Sequence, residues 1–152
     1  MPDATPHHGI PPFVLGMTRR EALAAAGSPD PLGQQGGGGA STSETWFYSS
    51  MQAEIKFEEE FDWRMSSITI EAPSATVKGA LLIGCRAADL SFLAASVGIP
   101  DVRQTDDFEE SGKCHASELF DLQFWEHEGR IVKITLFPQF EESGNVPRWP
   151  AA

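Results

Sequence analysis

The stretch that decides the fold is AEIKFEEEFDWRMSSITIEAP, residues 53–73. On both sides of a central acidic cluster, apolar and polar residues alternate, which is the pattern of β-strands with one buried face. The residues that this alternation places on the buried face are Ile55, Phe57, Ser66, Ile68 and Ile70. The cluster EEEFDW between the two alternating runs is typical of a turn. We therefore expect a β-hairpin with an acidic turn.

The stretch DLQFWEHEGRIVKITLFP, residues 121–138, has the same pattern. The residues predicted to face inward are Leu122, Phe124, Val132, Ile134 and Leu136. The acidic segment EHEG takes the place of EEEFDW, and the triplet Ile-Thr-Leu near the end takes the place of Ile-Thr-Ile. This agreement predicts a second hairpin that is equivalent to the first.

Upstream of each hairpin, the sequence favours a helix that ends at Gly-x-Pro-Asp. The first helix, TRREALAAAG, has Thr18 and Glu21 at the spacing of a capping box, in which each side chain satisfies a free backbone N–H of the other residue. The second, CRAADLSFLAASVG, has apolar residues at helical spacing, namely Leu90, Leu93, Ala94 and Val97. Gly27 and Gly98 are placed to close the two helices. Apolar segments that end in glycine, FVLG and ALLIG, precede them.

These correspondences predict an α+β fold class, a tandem repeat of a helix packed on an antiparallel β-sheet, with the two sheets joined or packed together. The first repeat is expected at residues 10–73, with a flexible glycine-rich loop at 31–44, and the second at 74–140. Residues 1–9 and 141–152 are expected to be tails. Because neither repeat alone is long enough to form a stable hydrophobic core, we expect the two to associate.

The composition restricts the environment and the partners. The 152 residues carry a formal net charge of −11, which repels nucleic acid and anionic membranes and attracts a basic protein. An acidic surface that serves only solubility is the alternative. We find no apolar run of transmembrane length and no secretory signal pattern. The two cysteines, Cys85 and Cys114, are expected to be reduced thiols, which indicates a cytoplasmic protein.

The sequence offers no convincing catalytic, cofactor or metal site. Cys114 and His115 are neighbours on a predicted strand, so their side chains should point to opposite faces. A zinc site needs three or four convergent ligands, and only His115 and His127 among the histidines lie in the predicted folded region. The run GGGG lacks the Gly-Lys-Ser/Thr ending of a phosphate-binding loop. We therefore expect no enzyme activity, no cofactor and no metal.

Acidic residues mixed with large aromatic ones recur in FEEEFDW, DDFEE and FWEHE, at or near the predicted turns. Aromatic side chains supply contact area in an interface, and surrounding acids steer a basic partner. The residues predicted to bind a partner are Glu58, Glu59, Glu60, Phe61, Asp62, Trp63, Asp106, Asp107, Phe108, Glu109, Glu110 and Trp125. The alternative is that Phe61 and Trp63 tuck under their turn as core and leave only solvated acids.

The segment FVLGMTRREALAAAGSPD, residues 13–30, resembles the helix opening of small lipoproteins of the outer-membrane assembly type. Duplication of such a unit is similar to the beta-lactamase inhibitory protein family, whose joined sheet binds an enzyme through a concave acidic and aromatic surface. The acidity and the Gly-x-Pro units are also similar to bacterial toxin-immunity proteins. The resemblance covers residues 10–30 and 53–138, without the lipidated cysteine of the lipoproteins. It implies that the partner is a secreted toxin domain.

The resulting hypothesis is a non-enzymatic protein inhibitor, an immunity protein that binds and occludes a cognate bacterial toxin. A structural or small-ligand-binding module that uses the same sheet surface is the alternative. An enzyme with an unfamiliar site is a third class, which the sequence leaves open.

Overall fold

The computed structural model describes residues 2–30, 35–36, 43–109, 112–142, 144 and 146–150, with the backbone alone for 35–36 and 106–109. The strands are β1 Asp3–Ala4, β2 Gly9–Ile10, β3 Phe13–Val14, β4 Gln35–Gly36, β5 Ser43–Tyr48, β6 Ala53–Glu58, β7 Arg64–Ile70, β8 Thr76–Val77, β9 Arg103–Glu109, β10 Gly112–Ser117, β11 Leu122–His127, β12 Arg130–Leu136, β13 Gln139–Phe140 and β14 Pro147–Arg148. The α-helices are α1 Arg19–Ala26 and α2 Ala87–Ala95, and two short 3-10 helices cover Ser49–Met51 and Glu59–Phe61. In this part of the chain, no helix has the length and apolar character needed to cross a membrane.

Eight of these strands form one antiparallel sheet in the order β4-β5-β6-β7-β12-β11-β10-β9. Within this sheet, β4 to β7 therefore occupy one side, and β9 to β12 occupy the other. The two sides meet where Thr69 of β7 lies opposite Thr135 of β12, between the apolar pairs Ile70–Ile134 and Ile68–Leu136.

The predicted fold class, an α+β tandem repeat of a helix packed on a sheet, is wrong. The described chain is mainly β, and a single continuous sheet dominates it. Helix α1 buries only Ala22 and lies against the two-residue strand β3, while α2 buries Leu90 and Ala94 and lies against β12. Helices of eight and nine residues are roughly 12–14 Å long, which is too short to cover a sheet of this width.

One face of the sheet forms the core, as the alternation predicts. The predicted residues that are buried there are Ile55, Phe57, Ile68, Ile70, Leu122, Phe124, Ile134 and Leu136. Val132 is the exception, since 38% of its surface is exposed. The pairing of β11 with β12 shifts register between Trp125 and Glu126, which makes Val132 the extra residue of a β-bulge and brings Ile131 into the core.

The matching bulge in the first half lies between β6 and β7. The register shifts between Lys56 and Phe57, so Ser66 becomes the extra residue and Met65 enters the core. The Ser66 hydroxyl donates to the carbonyl oxygen of Lys56 at 3.4 Å, which satisfies its polar group in this buried position.

The glycines before the two helices make corresponding contacts with the sheet. The backbone N–H of Gly16 donates to the carbonyl oxygen of Met65 at 2.9 Å, and that of Gly84 donates to Ile131 at 2.7 Å. Each glycine's carbonyl oxygen accepts from an arginine at the start of a strand, Arg64 for Gly16 and Arg130 for Gly84. Their φ angles of +91° and +92° favour glycine at both sites.

The Gly-x-Pro-Asp segments tie each helix exit to a hairpin turn. Asp30 accepts two hydrogen bonds of 3.3 Å from the backbone N–H of Ser49, after β5. Asp101 accepts from the Ser117 hydroxyl at 2.6 Å and from the backbone N–H of Leu119 at 3.0 Å, after β10. Burial acts to raise the pKa of Asp101, but these hydrogen bonds outweigh it and hold the pKa below its ordinary value.

The segments predicted as tails take part in the fold. β1 pairs in parallel with β8 and buries Ala4, and β13 pairs with β14. Trp149 packs on Phe61, with ring centroids 6.0 Å apart. Of the predicted loop at 31–44, residues 31–34 and 37–42 lie outside the described residues, whereas 35–36 form β4 and 43–44 begin β5.

Candidate functional site

The face of the sheet opposite the core is the candidate site, and we call it the open face. Its central row crosses five strands, because each residue lies directly opposite the next: Phe47, Glu54, Thr69, Thr135 and Gln123. Four of the five are partly exposed, and only Thr135 is buried. Trp125 and Lys133 form a second, shorter row beside it, also partly exposed.

Contacts between its own side chains hold the centre of the open face in place. The hydroxyl oxygens of Thr69 and Thr135 are 2.9 Å apart, within hydrogen-bonding distance, across the pairing of β7 with β12. The indole N–H of Trp125 donates to the same Thr135 hydroxyl at 3.4 Å, and the ammonium of Lys133 lies 5.4 Å from the Trp125 ring. Because paired strands carry these side chains and the side chains contact one another, we expect the surface to change little when a partner binds.

A cleft of about 520 Å³ lies at the end of the open face where β5 turns into β6. The residues that line it are Asp30, Phe47, Tyr48, Ser49, Gln52, Ala53, Glu54, Thr69 and Glu71. The Tyr48 hydroxyl donates to the carbonyl oxygen of Gly27 at 2.9 Å, and burial raises the pKa of this phenol. The cleft thus combines one aromatic residue of the open face with three carboxylates.

The structure places the predicted binding residues 59–63 in the turn between β6 and β7. Glu59, Glu60 and Asp62 are exposed. Phe61 packs against Phe140 and Trp149 of the C-terminal segment, and Trp63 lies under the guanidinium of Arg19 at 4.7 Å. Both aromatic side chains are therefore partly covered by the chain itself, and the acids are the exposed part of this turn. Glu58, at the end of β6, is partly exposed.

The other predicted binding residues lie at the opposite end of the sheet. Trp125 belongs to the open face, close to the turn between β11 and β12. The side chains of Asp106, Asp107, Phe108 and Glu109, and all of Glu110, lie outside the described residues. The pairing of β9 with β10, and of β10 with β11, puts the β9–β10 hairpin end beside that turn. Among the described residues, the turn at 59–63 and the turn between β11 and β12 therefore lie at opposite ends of the strands.

The sequence interpretation missed Phe47, Glu54, Thr69, Gln123 and Lys133. A signal for them was present, because residues between the buried positions of an alternating strand must lie on the other face. The turns carry a compositional signal for partner binding, acids mixed with aromatics, whereas these strand positions carry only the alternation itself.

The remaining reactive side chains have contacts within the fold. Cys114 and His115 lie opposite Trp125 and Phe124, on different faces of the sheet, as predicted. Nε2 of His115 is 2.8 Å from Oε1 of Glu126. Burial, followed by the charge of Asp89, raises the pKa of the Cys85 thiol and keeps it protonated at neutral pH. Within the described ranges, no group of three or more potential metal ligands comes together.

Comparison with known proteins gives little that bears on the open face. No family model and no curated protein matches the chain. A solved structure of an extracellular protein containing an SCP domain, from Bacillus anthracis str. Ames, is similar to it with 13% sequence identity and a TM-score of 0.49. The similarity covers 82% of this chain and 44% of that one, so this chain spans less than half the length of its structural neighbour.

Proposed function

We propose that this protein is a non-enzymatic inhibitor that binds another protein through the open face. The more specific form of the proposal is an immunity protein that occludes a cognate bacterial toxin in the cytoplasm. The observation that carries it is the open face itself, a row of five aromatic and polar side chains, four of them partly exposed, that crosses five paired strands on the side away from the core.

The composition of this face suits a protein partner. Trp125 and Phe47 offer aromatic contact area, and the threonine hydroxyls and Gln123 offer hydrogen-bonding groups between them. Aromatic side chains are enriched in protein interfaces, where they supply contact area beside hydrogen-bonding groups. Because the strands hold these groups in place, little conformational entropy is lost when a partner binds.

The charge of the molecule supports a basic partner. The formal net charge is −11, and the exposed acids Glu59, Glu60 and Asp62 lie at one end of the open face. Rim charges of this kind raise the rate at which an oppositely charged protein arrives, while the centre of the face determines how long it stays.

A small-ligand-binding module is the second candidate, and the cleft of about 520 Å³ is the observation that favours it. This volume lies within the range of roughly 300–1,000 Å³ that is common for ligand sites. In that case a small molecule, and no protein, would be retained when the protein is purified from its own cells.

The experiment is capture of partners from a lysate of the source organism at low and at moderate salt, followed by a toxicity-rescue assay with the captured protein. We expect the wild type to capture and neutralise a toxin. The variant Gln123→Arg, which places a long charged side chain at the β11 end of the central row, should lose both. The control Ala88→Arg makes the same change of charge on the exposed side of α2 and should keep both.

Equal capture by both variants would contradict the open face as the binding surface. Retention of a small molecule without any neutralised protein would favour the ligand-binding module instead.

A further inference from the structure

We propose that the cleft at the β5–β6 end of the open face binds an arginine side chain of the partner protein. The guanidinium would lie against the ring of Phe47 and among the carboxylates of Asp30, Glu54 and Glu71. The inference rests on the proposed function and names the group of the partner that this surface selects.

The wall of the cleft is built from neighbouring positions on three strands. Phe47 on β5 lies opposite Glu54 on β6, which lies opposite Thr69 on β7, and all three line the cleft. Phe47 is partly exposed, so its ring is accessible from solvent. An aromatic ring beside a carboxylate attracts a cation through both the ring quadrupole and the negative charge.

Backbone hydrogen bonds hold the two rims of the cleft. On one side, the N–H of Asp30 donates to the carbonyl oxygen of Phe47 at 2.8 Å, and its carboxylate accepts from the N–H of Ser49. On the other side, the N–H of Glu71 donates to the carbonyl oxygen of Gln52 at 2.9 Å. A carboxylate has about four lone-pair sites, so Asp30 retains capacity to accept from a ligand.

The charge of the lining determines the sign of the occupant. Three carboxylates line the cleft, and none of the described lining residues is basic. An anionic group would therefore be repelled, while a cation finds compensating charge on both rims. This matches the charge of the whole molecule, which is formally −11.

Among protein cations, arginine fits better than lysine. Its guanidinium is planar, so it can stack on the Phe47 ring while its N–H groups point outward to carboxylates. It can also donate two parallel hydrogen bonds to one carboxylate, which a lysine ammonium cannot do. The volume of the cleft, about 520 Å³, accommodates a long side chain.

The first test uses N-acetyl-arginine amide as the probe and follows the backbone amide signals of the full chain by NMR. We expect shifts confined to the cleft, at Phe47, Glu54 and Glu71. N-acetyl-citrulline amide, which has nearly the same shape without the charge, should produce none. Equal shifts with both probes, or arginine shifts confined to the acidic turn 59–63, would overturn the inference.

Variants of the lining provide the second test. Glu71→Gln and Phe47→Leu should each weaken the Kd of the arginine probe by about threefold, which is the size of one exposed ion pair or cation–π contact. Glu118→Gln removes one charge from an exposed acid after β10 and should leave the Kd unchanged. If Phe47→Leu does not fold, the test rests on Glu71→Gln, which changes an exposed side chain. An unchanged Kd of the arginine probe for Glu71→Gln overturns the inference.

The same variants separate this inference from the proposed function. With a captured and neutralised partner, Glu71→Gln should speed dissociation about threefold, whereas Glu118→Gln should not. Capture that is lost in Gln123→Arg but is insensitive to Glu71→Gln would leave the proposed function standing and overturn the arginine site. If the arginine probe binds but no protein is captured from the lysate, both proposals are overturned, and a small cationic ligand is left as the occupant.

Discussion

Four residues, two glycines and two aspartates, form the hydrogen bonds that connect the helical segments to the sheet and its turns. The backbone N–H groups of Gly16 and Gly84 donate to carbonyl oxygens of β7 and β12, and Asp30 and Asp101 fix the turns that follow β5 and β10. The sequence shows Gly-x-Pro-Asp twice, but it does not reveal what the aspartate binds. The groups that donate hydrogen bonds to each aspartate belong to a turn farther along the chain, so the motif alone cannot identify them.

The two glycines allow a matched comparison. Alanine at either position would have to adopt nearly the same positive φ, which costs on the order of 1–3 kcal/mol. At Gly84 the Cβ would find no atom within 4 Å, whereas at Gly16 it would lie 3.0 Å from the ring of Trp149. We expect Gly16→Ala to lower the free energy of unfolding, measured by urea denaturation, by more than Gly84→Ala does. Equal losses would show that Trp149 moves aside without cost.

Asp101 should make stability depend on pH in a defined direction. Its pKa in the folded state is below the ordinary value of 3.8, so its contribution is full above that value and is lost as the pH falls through the folded pKa. Asp101→Asn should therefore lower the free energy of unfolding by about 1 kcal/mol at pH 7, with the difference from the wild type shrinking in acid. Urea denaturation across this pH range checks it, with the exposed Glu118→Gln as control. A difference that stays constant with pH would contradict the assignment.

The sequence predicts the buried strand faces and the positions of both helices, including the capping box of Thr18 with Glu21 in α1, but it does not predict how the helices pack on the sheet. Alternation identifies the core side of β6, β7, β11 and β12 because a strand has only two faces. The two bulges left no sign in the pattern, so Val132 was placed inward although Ile131 occupies the core. The stripe predicted up to Val97 overstated α2, which ends at Ala95, since periodicity says little about length. The open face went unnoticed because no chemical motif marks it.

The strand register predicts the cost of two core truncations. Phe57 and Phe124 are both fully buried, so Phe57→Ala and Phe124→Ala should each lower the free energy of unfolding by about 3–5 kcal/mol. Val132→Ala, at the exposed bulge of β12, should cost less than about 1 kcal/mol. Chemical denaturation measures all three, and a small loss at either phenylalanine would place the other side of its strand in the core.

For the whole molecule, the acids at the ends of the sheet should act on the rate of association. Glu59 and Glu60 are exposed in the β6–β7 turn, so charge reversal there leaves the open face intact. Glu59→Lys with Glu60→Lys should slow binding of a basic partner and flatten its dependence on salt, with little change in dissociation. Stopped-flow mixing at several salt concentrations measures this. An unchanged association rate at low salt would indicate that these acids serve solubility alone.

The pairing of β7 with β12 has a consequence for how the chain acquires its fold. During synthesis, β5, β6 and β7 can form hairpins soon after they emerge, but Thr69 must wait for Thr135 to be made. Pairings between distant segments form slowly, because the entropy cost of closing a long loop comes before any stabilising contact has formed. We therefore expect the pairing of β7 with β12, which we call the seam, to form after the folding transition state. Ile134→Val should then accelerate unfolding and barely change the refolding rate. Until the seam closes, β7 exposes an unpaired edge, and a nascent chain stalled at that stage is the species most prone to aggregate.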